Sequence, residues 1–311
     1  MTSAAIPNPQ AAPAKKTGFL KAFSAKNRFV LAVLTPTILF YLLFAYLPIL
    51  GSLAMSFTGV DTMLTQAITF LGLDNYVKAL TDPLTWTSLQ NSFAYTLLSV
   101  PVGTVLALMV ALMLNSIFTL RAFFRTLYFI PVVTSMVAVA VVWKWLYQPA
   151  FGLFNQFLSM AHLPDLHWLN DPNLSLLAIV IMSVWKGLGF NVVIFLAGLG
   201  GIPKDYYEAA SIDGASAWQN FTKITLPMLQ ATTAFVVITS VIGALQVFTQ
   251  IYIMTQGGPL DSSRTIVYVI YERAFQDYMG GYSAALAVIL FIIIMIISIF
   301  QLRLYRQNWE Y

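Results

Sequence analysis

Glu208 stands near the head of the longest polar interruption in the C-terminal half of the chain, residues 203–227, PKDYYEAASIDGASAWQNFTKITLP. Seven positions in it keep a tight spacing: Glu208, Ala209 and Ala210, then three residues to Gly214, nine more to Ile224, and a single residue before Leu226 and Pro227. The stretch offers one carboxylate, Glu208, set beside small side chains. Asp205 and Glu208 fall in the first turns after Pro203, where a helix N-terminus favours negative charge, and the alanines are good helix formers of low profile. Gly214 suits the φ > 0 turn that ends such a helix. Trp218, Phe221 and Ile224 then recur every third residue as the apolar side of a second helix that Pro227 stops. The stretch is predicted to be helix, glycine bend, helix.

A second group of polar residues interrupts apolar sequence. Lys186, Gly187, Gly189 and Asn191 lie in one hydrophobic run, and Ser240, Gly243, Gln246 and Gln250 in another. Polar atoms in hydrocarbon are costly and normally face a bundle interior or water. Lys186, Gly189, Asn191, Ser240, Ala244, Gln246, Val247 and Gln250 are therefore candidates for the wall of a solute pathway; the competing reading is that the glycines pack helices and the polar groups join them. Amides and hydroxyls both donate and accept, which suits a neutral polyhydroxylated solute. Lys186 is roughly 24 Å from the cytoplasmic end of its run at 1.5 Å per residue, so outward snorkelling is the favoured reading and a neutral saccharide the favoured cargo. An inward-facing Lys186 would instead favour an anionic one.

Bond-making chemistry finds no support. No GxxxxGK[ST] loop exists to cradle phosphates, and Gly198, Gly200 and Gly201 at a span end read as packing or cap positions. His162, Asp165 and His167 are irregularly spaced across Pro164 and offer no ligand geometry. The chain has no cysteine, which removes disulfides, thiolate metal sites and a thiol nucleophile. No Ser/His/Asp set shares a plausible site, and paired carboxylates are missing from the apolar runs.

The elements that position these residues follow from composition. Hydrophobic residues make up 59% and charged residues 9% of 311, far from the near-quarter charged share of soluble domains. Six apolar runs, 29–50, 93–114, 127–147, 174–202, 228–254 and 282–300, each reach or approach the ~20 helical residues that cross a bilayer. Barrel-like alternation is absent, so the class is all-α, a polytopic membrane protein with six transmembrane helices. Pro36, Pro48, Pro101 and Pro131 lie in or at the ends of spans. Residues 1–28 read as a basic N-terminal tail, 29–306 as one six-helix domain carrying the 203–227 loop, and 307–311 as a C-terminal tail. A signal peptide competes for the first run, but 22 uncharged residues without a following small-residue cleavage site favour a retained span.

Orientation follows from the basic residues. Eleven (Lys15, Lys16, Lys21, Lys26, Arg28, Arg121, Arg125, Lys204, Lys223, Arg303 and Arg306) fall on one side of the six-span arrangement, against Lys78, Arg264 and Arg273 on the other. The positive-inside rule puts both termini and the 203–227 stretch in the cytoplasm. A pI near 9.2 is then loop charge that sets topology, and no charge run suits nucleic acid.

The seven fixed positions resemble the EAA loop of the membrane subunits of bacterial ABC importers. FLGLDNY (70–76), the block from Thr255 through Gly257, Gly258 and Pro259 to Tyr268, Tyr271 and Phe275, and MGGYSAALA (279–287) are similar to the carbohydrate branch, in particular to its maltose-permease-F or glycerol-phosphate-permease-A type. The resemblance covers nearly everything after residue 29. It implies a cytoplasmic-membrane permease for a sugar, oligosaccharide or polyol that pairs with a second permease. It also implies an ATPase dimer beneath, which uses ATP and magnesium while this chain carries no cofactor, and a periplasmic or lipid-anchored binding protein above. Glu208, Ala209, Ala210, Gly214, Ile224, Leu226 and Pro227 would couple to the ATPase, with Glu208 meeting a basic residue there. The chain departs from the pattern at Thr249, where many members carry an acidic residue, and lacks the maltose member's large periplasmic insertion, residues 57–90 forming a loop of 34. A secondary transporter or channel is the rival class; ion coupling needs ionisable groups near the midplane, and the spans hold only Lys144 and Lys186. A glycerol or sugar phosphate is the alternative cargo.

Overall fold

The computed structural model describes residues 25–60, 68–116 and 121–305. The basic tail up to residue 24, Arg306 and residues 307–311 lie outside them. The backbone divides into a unit ending at Ser52 and a unit from Leu53 onward. The first is helical: α1 (Ala25–Tyr41) passes through a π-helical turn (Leu42–Tyr46) into α2 (Leu47–Met55). Pro36 is accommodated inside α1.

The second unit continues with α3 (Asp74–Thr81), α4 (Pro83–Ser116), α5 (Arg121–Val133), α6 (Met136–Leu146), α7 (Leu153–Met160) and α8 (Ser175–Gly200). A short pair follows, α9 (Lys204–Ile212) and α10 (Ala217–Asn220), then α11 (Leu226–Met228), α12 (Gln230–Leu245), α13 (Thr249–Met254), α14 (Ile266–Phe275) and α15 (Gly280–Leu304). The one β-type pairing among the described residues is an isolated bridge between Thr58 and Phe70. Four helices are long and apolar enough to cross a membrane: Phe29–Met55, Pro83–Asn115, Ser175–Gly200 and Gly280–Leu304. Two further helix pairs pass the same test only when taken together and are bent, Thr126–Val133 with Met136–Leu146 at 102° and Ala217–Met228 with Gln230–Leu245 at 63°. The six expected spans are present when each bent pair counts as one.

Three boundaries differ from the sequence expectation, each for a local reason. The second span begins at Pro83 rather than residue 93, because Asp82 accepts the Leu84 N–H at 2.9 Å and Pro83 occupies the first helical position. The third run is broken at Thr134 and Ser135. α5 ends at Val133, and carbonyls that its last turn leaves open find side chains: Thr134 Oγ1 donates to Pro131 O at 2.6 Å and Lys186 Nζ to Val132 O at 3.0 Å. The fifth run does not reach Met254 unbroken, since α12 stops at Leu245; Thr265 Oγ1 satisfies the carbonyl of Val247 in the gap at 3.1 Å. Non-helical backbone at membrane depth survives only with such partners.

α4 and α8 form the most extensive helix pairing, flanked by α12 on α4 and α5 on α8. Ala107, Ala111 and Leu114 of α4 meet Val192, Phe195 and Leu199 of α8 with Leu229 and Val236. At Gly198 a Cβ would press on Thr232 and Leu229, so that glycine packs, and Gly201 caps α8.

The outer motifs converge. Asn75 donates to the carbonyls of Ser56 at 3.0 Å and Thr58 at 2.9 Å, and Gly281 lies so near the Thr58 carbonyl that no Cβ fits. Two stretches about 200 residues apart in sequence, 70–76 and 279–287, thus hold one backbone segment. Asn91 of α4 binds the carbonyls of Asp261 and Arg264 at 2.7 and 2.9 Å, while Arg264 pairs with Asp261 and Glu272 at 2.9 and 2.8 Å. Burial lifts the Glu272 carboxyl above the usual carboxylate range, outweighing the opposing pull of Arg264 and Arg273.

Candidate functional site

A cavity of about 350 Å³ lies among α4, α8, α12 and the bend between α5 and α6, within the ~300–1,000 Å³ span of small-molecule sites. Lys186, Asn191, Ser240, Ala244 and Gln250 line it. The bend brings Val132 and Met136 to the wall, and α8 presents Ser183, Gly187 and Asn191 from successive turns, with Lys186 beside Gly187.

The remaining three pathway candidates lie elsewhere. At Gly189 a Cβ would collide with the Tyr128 carbonyl and crowd Val132, so this glycine is the contact point of α8 with α5. Gln246 is exposed at the end of α12, and buried Val247 faces Thr265 through its carbonyl. Sequence spacing could not place Gln246 and Val247 because the chain leaves helical geometry after Leu245.

Lys186 does not snorkel outward. Its side chain is buried, lines the cavity, and donates to the Val132 carbonyl in the last turn of α5, where a cation suits the helix C-terminus. Lys144 treats α13 similarly, donating to Ile253 O at 3.1 Å. Two polar pairs in the wall are loosely held: Asn191 Nδ2 to Ser240 Oγ and Gln250 Nε2 to Ser183 Oγ are both 3.5 Å, beyond the usual 2.7–3.2 Å range. Such pairs can exchange partners with a solute.

Sequence reading missed the α4 side of the cavity, Tyr95, Ser99 and Gly103, and also Ser183. The available signal was a serine and a glycine four apart, on one helix face, inside an apolar span. Ser99 Oγ is buried with no hydrogen-bond partner, an unmet capacity at the cavity wall.

The 203–227 stretch folds as helix, bend, helix. Gly214 takes φ +73°, and the turn is closed by Gly214 N–H to Ser211 O at 3.1 Å and Ala215 N–H to Ala210 O at 2.9 Å. α10 starts on a reciprocal cap, Gln219 N–H to Ser216 Oγ at 3.3 Å and Ser216 N–H to Gln219 Oε1 at 2.7 Å, an S-x-x-Q signal readable in the sequence. α10 then runs through a π-helical turn (Phe221–Thr225) into α11. Pro227 lies inside α11, and the bend comes two residues later at Leu229. The Tyr207 hydroxyl and Thr225 Oγ1, 2.9 Å apart, tie the two arms together. Tyr207 also packs against the Phe195 and Leu229 core, which joins the loop to α8 and to the start of α12.

Glu208, Ala209, Gly214, Leu226 and Pro227 are exposed, Ala210 and Ile224 half-buried. Around them Ile212 is 88% and Trp218 72% exposed. These large apolar side chains sit beside Lys204, Asp205, Asp213 and Lys223, hence at an aqueous level, where an exposed apolar patch marks a protein interface.

Residues 103–308 match the family model of the binding-protein-dependent transport system inner membrane component. The lactose transport system permease protein LacF of Rhizobium radiobacter is 35% identical over 88% of this chain and 92% of its own length. The trehalose/maltose transport system permease protein MalF of Thermococcus litoralis is 33% identical over 93% and 97%. A chain of the bacterial alginate ABC transporter, solved in complex with an alginate pentasaccharide-bound periplasmic protein, superposes with a TM-score of 0.80 at 26% identity, covering 90% of this chain and 95% of that one.

Proposed function

Since the chain belongs to the binding-protein-dependent transport inner-membrane components, and is a carbohydrate ABC importer permease, we propose that its polar cavity is one wall of the sugar pathway and residues 203–227 are the loop through which an ATPase drives it. The observation that carries this is the exposed helix-glycine-helix, with free Glu208 and Trp218 surfaces, joined through Tyr207 to the helices that bound the cavity. Permease subunits are not enzymes themselves, and a solute-binding protein is their partner. A second permease would supply the opposite wall and an ATPase dimer would bind ATP and magnesium. ATPase closure would push the coupling helices and switch the pathway from inward-facing to outward-facing. The six-helix domain would span residues 29–306. No aspartate or glutamate lies in the spans, which disfavours ion-coupled secondary transport.

The relatives bear on the cargo. LacF is named for lactose, MalF for trehalose and maltose, and the alginate system for an acidic polysaccharide whose pentasaccharide its binding protein holds. In this chain Asn191, Ser240 and Gln250 offer the donors and acceptors that sugar hydroxyls need. In the importer reconstituted with its partner subunits, Asn191→Leu should lower sugar uptake on the order of tenfold, by leaving solute hydroxyls unpaired in the pathway. Gln246→Leu, outside the cavity, should have a smaller effect. Equal uptake by wild type and Asn191→Leu would remove the cavity from the pathway.

Orientation is tested with single cysteines, since the native chain has none. Leu260, 89% exposed in the loop after cis-Pro259, should label with an impermeant maleimide on intact cells when replaced by cysteine, and Ser216→Cys only after permeabilisation. Labelling of Ser216→Cys from outside would invert the topology and place the loop out of an ATPase's reach.

A further inference from the structure

The charge balance of the cavity goes beyond the general assignment to sugars. Lys186 is the one ionisable side chain among the described residues that line it, apart from the Tyr95 phenol; no carboxylate faces it. Its ammonium carries three donors, and one is taken by the Val132 carbonyl at 3.0 Å. Only 9% of the residue is exposed. A cation with little exposed surface and no carboxylate facing it is only partly compensated, since the carbonyl supplies a partial charge. In the same cavity wall Asn191 Nδ2 and Ser240 Oγ, and Gln250 Nε2 and Ser183 Oγ, stand 3.5 Å apart, pairs loose enough to take other partners. An arrangement of one partly compensated ammonium and several loosely paired hydroxyl and amide groups complements an anion that carries hydroxyls.

We infer that the cargo is an acidic sugar, whose carboxylate, sulfonate or phosphate passes Lys186 while Asn191 and Ser240 meet its hydroxyls. The inference rests on the cavity being the translocation pathway. The helix-capping bond to Val132 and the cargo contact are compatible, because two donors remain after the cap is made. The exposed relative of this residue, Lys144, shows the contrast: it caps a carbonyl at the outer rim, where water shares the charge.

The test uses the whole importer in proteoliposomes, with its second permease, ATPase and binding protein. The probes are digalacturonate, a 6-sulfonated glucoside and glucose 6-phosphate, each beside its uncharged counterpart; the three arms separate the possible sources of the anion. ATP-driven uptake should favour at least one acidic probe over its counterpart. Lys186→Gln should cut that uptake by about tenfold or more, as loss of one member of a buried charge pair does, while Lys186→Arg keeps most of it. Preference for the uncharged sugars, with Lys186→Gln unaffected, overturns the inference. So does equal loss in the Gln and Arg variants of an assembled complex, since capping geometry then accounts for Lys186. If Lys186→Gln fails to assemble, the wild-type preference between acidic and uncharged probes still decides. The premise fails separately: Asn191→Leu and Lys186→Gln would both transport normally, whereas neutral uptake impaired by Asn191→Leu alone keeps the pathway and rejects the acidic cargo.

Discussion

Glu208→Lys and Gly214→Asp are expected to abolish ATP-driven uptake while the chain still inserts and assembles with the second permease. Glu208 is exposed, on a short helix with no fully buried residue, and its side chain takes no part in the Tyr207 contact, so reversing its charge leaves folding nearly untouched. Its cost falls on the interface, where a carboxylate facing a basic partner becomes a like-charge contact. Gly214 occupies φ +73° with open space around it. Aspartate tolerates the left-handed region better than most residues, so the bend survives at about 1 kcal/mol and a new charge projects toward the docking face. Membrane-inserted protein should match wild type by quantitative blotting while uptake falls to background. Normal uptake by both variants would separate this loop from energy coupling.

Gly189→Val is expected to act in the opposite way, removing folded protein rather than coupling. The Cβ it introduces would meet the Tyr128 carbonyl, and α5 would have to withdraw from α8. Overpacking typically costs about 1–3 kcal/mol, and here the obstacle is backbone, which cannot rotate aside. The withdrawal would also strain the Lys186 to Val132 bond and open the bend that frames the cavity. Gly187→Ala, two residues away with nothing within 4 Å of its Cβ position, serves as the control. Size-exclusion chromatography should show a normal peak for Gly187→Ala and aggregation for Gly189→Val. Indistinguishable peaks would mean that α5 and α8 are not in close contact.

These two glycines show what the sequence could and could not reveal. Gly187 and Gly189 look alike in a run of apolar residues, because a helix that is apolar all round carries no amphipathic face to orient them. Only the approach of α5 distinguishes them. The spans themselves were legible, since length and hydrophobicity alone decide whether a helix can cross a bilayer. Their breaks were not: the bend after Val133 depends on Lys186, 54 residues away in sequence from the carbonyl it caps, and the gap after Leu245 on Thr265. The helix-glycine-helix at 203–227 was legible because every determinant is local, from Pro203 through Gly214 to the Ser216 and Gln219 cap. Ser99 was passed over because lone serines in apolar helices ordinarily bond back to their own helix, and nothing in sequence shows that this one does not.

The account depends most on the loop being the point of contact with an ATPase. A single cysteine at Ser211, exposed on α9 between Ala210 and Gly214, in the otherwise cysteine-free chain, should cross-link to the ATPase subunit in the assembled importer, with a yield that changes when ATP is added. The same reagent on Leu260→Cys should capture no ATPase. Cross-linking from Leu260→Cys but not from Ser211→Cys, in an importer active for uptake, would contradict the account.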